Sequence, residues 1–86
     1  MIIDVRQQHD FVGRHRPYTI RAALAALLQS KPKGNFRIEQ VIDATGEIVS
    51  NRVIAATIYS ISNRKLRTAT HGAHCVIASW KEPPSK

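Results

Sequence analysis

The chain has 86 residues, 43% of them apolar, and carries thirteen Lys and Arg against six Asp and Glu, for a formal charge of +7. This describes one small domain with a thin core, too apolar to be disordered and without an apolar run that approaches bilayer thickness. The first residues, MIIDVRQQHD, lack the basic-then-apolar order of a signal peptide, and the single cysteine has no partner for an internal disulfide or a zinc pair, so a cytoplasmic setting is expected.

Residues 1–16 read as an N-terminal arm or short strand, with Ile2, Ile3 and Val5 able to pin it and a polar, basic run from His9 to Arg16. Residues 17–80 form the domain. Pro17 suits the first turn of a helix, and Ile20, Ala23, Leu24, Leu27 and Leu28 recur at helical spacing up to Ser30. KPKG at 31–34 stops this helix. A second helix is expected after Asn35, with Phe36, Ile38, Val41 and Ile42 buried, Glu39, Gln40 and Asp43 outward, and Gly46 as terminator.

The stretch SNRVIAATIYSISNR, 50–64, is rich in strand-favouring residues, yet Ser50 is a good N-cap and Val53, Ile54, Thr57, Ile58 and Ile61 share one helical face. Packing on a shared face outweighs propensity, so a third helix is expected. LRTAT at 66–70 and CVIASW at 75–80 then read as two strands of a hairpin bent at HGAH, with Trp80 closing the core and KEPPSK at 81–86 as a polar tail.

Charge points to a partner. Asp4 and Asp10 lie near the start and Glu39, Asp43 and Glu47 in the middle, but no carboxylate occurs from Ile48 to Trp80, where Arg52, Arg64, Lys65 and Arg67 lie. Such a bias suggests a polyanion, against the alternative of a soluble surface that is merely basic. Opposite the apolar stripe of the third helix stand Arg52, Ala56, Tyr59 and Asn63, with Asn51 and Ala55 at the edge. Arg can bond two acceptors on guanine, Asn can do so on adenine, and Ala lets the backbone come close to a thymine methyl. Tyr59 could donate to a phosphate. Arg64, Lys65 and Arg67 follow the helix, where cations neutralise phosphates or complement the helix dipole. His71 stands at the hairpin tip beside Gly72, placed for a phosphate or a minor groove.

Catalysis, metal and cofactor find little support. His71, His74 and Cys75 match no zinc spacing, and adjacent strand residues point to opposite faces. Cys75 reads as a small buried residue, His9 and His15 as exposed loop residues. No third group orients a Cys–His pair, and no Gly-rich phosphate loop occurs.

Three helices followed by a hairpin, over roughly 18–80, resemble the winged helix-turn-helix, the small DNA-binding domain of many bacterial and phage regulators. The expected fold class is therefore α+β, a three-helix core with a C-terminal β-hairpin wing, departing from the family in the long turn TGEIV at 45–49. The resemblance implies that the third helix enters the major groove of double-stranded DNA while the wing touches the backbone or minor groove. It implies a transcriptional regulator of bacterial, phage or plasmid origin, needing no cofactor. A domain this small reads few base pairs, so a homodimer on two half-sites is expected, joined through residues 1–16 or through Ala22, Ala25 and Ala26 of the first helix. The alternative is a protein-interaction module of the same fold, an adaptor or inhibitor that docks its basic face on an acidic or nucleic-acid-binding protein. RNA is a third reading, less supported because the few aromatic residues offer no stacking platform.

Overall fold

Helices form where the sequence sets a capping hydroxyl ahead of helical periodicity. The structure, a computed structural model, describes residues 1–7, 19–30 and 32–81. Helix α1 spans Ile20–Gln29. The Thr19 hydroxyl accepts from the Ala22 N–H at 3.0 Å, and at the far end the Ser30 hydroxyl donates to the Leu27 carbonyl at 2.6 Å. Ala23, Leu24 and Leu28 are buried, with Ile20 and Leu27 half-buried against the core. Pro17 and Tyr18 lie outside the described residues. Helix α2 spans Asn51–Ile61, and the Ser50 hydroxyl caps it by accepting from the Val53 N–H at 3.5 Å.

Five strands make two sheets. β1 (Ile2–Asp4) runs into a 3-10 turn over Val5–Gln7 and pairs in parallel with β3 (Gln40–Ile42), Ile3 opposite Val41. β2 (Asn35–Ile38), β4 (Leu66–His71) and β5 (Cys75–Trp80) form an antiparallel sheet in the order β2–β5–β4. After β3 the chain turns back on itself, bridging Ile42 to Ile48 and returning the Val49 N–H to the Val41 carbonyl at 2.8 Å.

The three-helix core expected from the sequence is not formed, and with it goes the winged helix-turn-helix architecture. The segment read as a second helix is β2 and β3. Phe36 and Ile38 are buried while Asn35 and Arg37 are exposed, the period of two that a half-buried strand requires. At Glu39 the chain leaves one sheet for the other, its N–H donating to the Met1 carbonyl at 2.8 Å, and the buried positions shift from even numbers to the odd Val41. That change of phase disguises two short strands as one irregular helical stripe. The hairpin at 66–80 is present as β4 and β5, closing at His71 opposite Cys75.

The core lies between α2 and the three-stranded sheet. Ile54 and Ile58 of α2 are fully buried with Ile38, Leu66 and Val76, and α1 packs against α2 from the side. Trp80 is half-buried at the rim, its indole N–H donating to the Pro32 carbonyl at 2.8 Å. Among the described residues no helix is long and apolar enough to cross a membrane.

Carboxylates organise the other end. Arg6 forks onto Asp4, with Nε to Oδ1 at 3.0 Å and Nη2 to Oδ2 at 2.8 Å, and its guanidinium lies over Gly46. A β-carbon at Gly46 would meet Arg6 Nη1 at 3.0 Å, on a backbone whose φ of +90° already favours glycine. Asp43 gathers the turn by accepting from the N–H groups of Thr45 and Glu47 at 2.8 and 3.0 Å. The Arg6 guanidinium holds the Asp4 carboxyl below its ordinary value, and the Thr45 hydroxyl, followed by the turn's N–H groups, does the same for Asp43. A lowered native pKa contributes stability that is complete above the ordinary value of 3.8 and is lost as pH falls through the lower native values. Glu39, held below its ordinary 4.5 by the hydrogen bond from the Met1 amino group, adds to this, so the denaturation midpoint should begin to drop as pH falls below 4.5 and drop further below 3.8, and Asp43→Asn should shrink the acid-side drop. An unchanged acid limb in Asp43→Asn would remove this aspartate from the account.

Candidate nucleic-acid interface

The inward aim of Ile54 and Ile58 fixes what α2 shows to solvent. Arg52, Val53, Ala56, Tyr59 and Ser60 are exposed along the helix, and Asn63 lies exposed just past its end. The stripe is rotated from the one expected. Val53, read from the sequence as buried, is 47% exposed, and Asn51, read as a base-contacting residue, is buried.

Asn51 serves the fold instead. Its side-chain Nδ2 donates to the Gly72 carbonyl at 2.9 Å, and its backbone N–H donates to the Ala73 carbonyl at 3.0 Å. His74 adds a third tie, Nδ1 lying 3.2 Å from the Val49 carbonyl. The β4–β5 turn is thus fastened to the first turn of α2, and Gly72, with φ of +65°, gives it the left-handed residue the bend needs. His71 remains exposed beside this fixed turn. Cys75 is a free, buried thiol, and the described residues hold no cluster of three potential metal ligands. His9 and His15 fall outside the described residues.

The C-terminal end of α2 has a different geometry. Ser62 caps the helix, after which Asn63 and Arg64 both take left-handed backbone, with φ of 54° and 66°. The Arg64 N–H reaches the Tyr59 carbonyl at 2.9 Å and the Asn63 N–H reaches the Ser60 carbonyl at 3.3 Å, the paired bonds of a Schellman ending. Asn63 therefore owes its place to a conformation that Asn tolerates better than most side chains. The Tyr59 ring, 40% exposed, has Arg64 Cζ 5.8 Å and Lys81 Nζ 5.3 Å from its centroid. Lys81 comes from the end of β5 and is held by its N–H to the Lys65 carbonyl at 2.9 Å. Arg21 of α1 reaches across to the Ser60 hydroxyl at 3.2 Å. Lys65 and Arg67 are exposed, Arg67 on the outer face of the sheet together with Arg37 of β2.

Among the described residues, ion pairs within 4 Å involve Asp4 with Arg6 and Glu39 with the Met1 amino group, so Arg52, Arg64, Lys65, Arg67 and Lys81 have no carboxylate that close. The carboxylates Asp4, Glu39, Asp43 and Glu47 belong to β1, the β2–β3 junction and the turn after β3. Arg52, Tyr59 and Arg64 are gathered on α2 and its end, while Lys65 and Arg67 lead onto the sheet. Arg21 and Lys81, not singled out in the sequence, join them. For Lys81 the signal was present, since continuing the hairpin register outward sets Lys81 opposite Lys65. No family model, no curated protein and no solved structure matches this chain.

Asn51→Ala would leave the Gly72 carbonyl without its side-chain donor. Chemical denaturation should register a loss of about 0.5–1.5 kcal/mol. A neutral effect would mean that water replaces the amide and that the turn is not fastened through it.

Proposed function

We propose that this chain binds double-stranded DNA, laying the outward face of α2 in the major groove and using the cations at the helix end on the phosphates. The observation that carries the reading is the helix face of Arg52, Ala56 and Tyr59, solvent-exposed on an element flanked by cations that no carboxylate among the described residues pairs with. An α-helix with its side chains is about 10–12 Å across and a B-form major groove about 12 Å wide, so α2 fits. Arg52 is the base-reading residue of choice, with Ala56 allowing close approach. Arg64, Lys65 and Arg67, with His71 at the turn, belong to backbone contact. Asn51 has no part in base reading, because its amide is committed to Gly72.

The biological role that fits is transcriptional regulation from the cytoplasm, in a bacterial, phage or plasmid setting, without cofactor or catalysis. So small a reader gains specificity by pairing, and the exposed Ile2 and Ile48, on the same side of the β1–β3 sheet as Ile42, offer an apolar contact for a homodimer. A protein-docking role is the second reading. The exposure of Val53 in line with Ala56 and Tyr59 favours it, because an apolar strip on a helix suits a protein groove as well as DNA.

Selection of random duplexes by the full chain should enrich a motif, and the logarithm of the affinity should fall linearly with the logarithm of salt concentration, by about 0.9 per phosphate contacted. Arg52→Ala should cost about 1–3 kcal/mol at one base pair and flatten preference there. Duplex affinity that ignores salt would refute the reading. Unaltered duplex binding by Arg52→Ala, together with loss of a captured acidic protein, would move the role to protein docking.

A further inference from the structure

We propose that Tyr59, Arg64 and Lys81 form a single phosphate cradle that grips the DNA backbone without regard to base sequence. The inference rests on the duplex reading above and joins Lys81 to Tyr59 and Arg64 in one contact. Two cations converge on one exposed ring, at 5.8 and 5.3 Å from its centroid, from separate parts of the chain. Attraction to the face of an exposed ring is weak, and among the described residues no carboxylate lies within ion-pair distance of either cation. A phosphate beside the ring could accept from the guanidinium and the ammonium, with the tyrosine hydroxyl as a further donor.

The backbone supplies an independent observation. Arg64 sits at φ of 66°, where a β-carbon is unfavourable and glycine would sit without strain. Its N–H is fixed to the Tyr59 carbonyl at 2.9 Å, and its guanidinium lies over the ring of the very residue that anchors it. The Lys81 backbone is held in turn by the bond from its N–H to Lys65. Both cations thus rise from hydrogen-bonded backbone beside the same ring. Strained residues concentrate where a side chain must be presented in a set direction.

The experiment measures affinity against salt for the full chain on two duplexes, one selected by the protein and one scrambled. Arg64→Ala and Lys81→Ala should each weaken both duplexes by the same factor, leaving the preference between them intact. Because the two cations share one phosphate, the double variant should lose less than the product of the single losses, and its salt slope should fall by about 0.9. Arg64→Gly, which relieves the backbone, should melt no lower than the wild type yet bind as poorly as Arg64→Ala. Wild-type affinity and slope in Arg64→Ala and Lys81→Ala would overturn the cradle while leaving duplex binding in place. Strictly multiplicative losses would overturn the sharing of one phosphate. A wild-type chain that binds neither duplex would overturn the duplex reading itself, and the cradle's nucleic-acid role with it.

Discussion

The structure depends on the burial of Ile54 and Ile58 between α2 and the three-stranded sheet. In a chain of 86 residues the core is thin, and two fully buried isoleucines on one helix are a large part of it. Removing a buried side chain of this size commonly costs about 2–5 kcal/mol, a sizeable share of the margin that keeps a small domain folded. Those two residues set the rotation of α2, and the rotation decides which side chains meet solvent. The outward residues are whatever remains once the isoleucines are satisfied. Asn51 fastens the β4–β5 turn to the start of the same helix, so the rotation is held by polar bonds at one end as well as by packing along its length.

Legibility in the sequence follows the range of the forces. α1 and α2 could be read because their caps and stripes are local: Thr19 and Ser50 act on N–H groups three residues away, and the apolar spacing needs no knowledge of the partner. The β4–β5 hairpin was also legible, two strand-rich runs about one short bend. The segment 35–43 was not, because its two strands belong to different sheets and the alternation breaks at Glu39. Its apolar residues then fall at 36, 38, 41 and 42, a spacing that permits a helix and in isolation does not exclude one. The partners of β2 and β3 are β5 and β1, remote in the chain, and only those pairings settle the matter.

The site was half legible for the same reason. Exposure of Arg52, Ala56 and Tyr59 follows from the helical period alone. Burial of Asn51 does not, because the carbonyls that claim it come from Gly72 and Ala73, more than twenty residues on. A polar residue in the first turn of a helix looks solvent-facing until something arrives to cover it. Val53 shows the converse: its apolar side chain suggested burial, but the inward face is set by Ile54 and Ile58, and Val53, about 100° around the helix from Ile54, is turned to solvent.

Acidic and basic residues perform different work in this fold. Asp4 and Asp43 spend their charge on local bonds, one clasping Arg6 and the other drawing in the N–H groups of a turn, and both lie in the part of the chain where β1 meets β3. The cations of α2 and the sheet do little comparable work. Arg52, Lys65 and Arg67 end in no ion pair among the described residues, and exposed pairs would in any case add little stability. Positive charge that the fold does not use raises the self-repulsion of the compact state while drawing anions toward it. Arg64 sharpens the point, since the helix ending would be easier with glycine there. Its guanidinium lies 5.8 Å from the centroid of the exposed Tyr59 ring, a contact worth about 0.5–1 kcal/mol against a left-handed conformation that costs about 1–2 kcal/mol, so the stability of the helix ending does not by itself call for an arginine there.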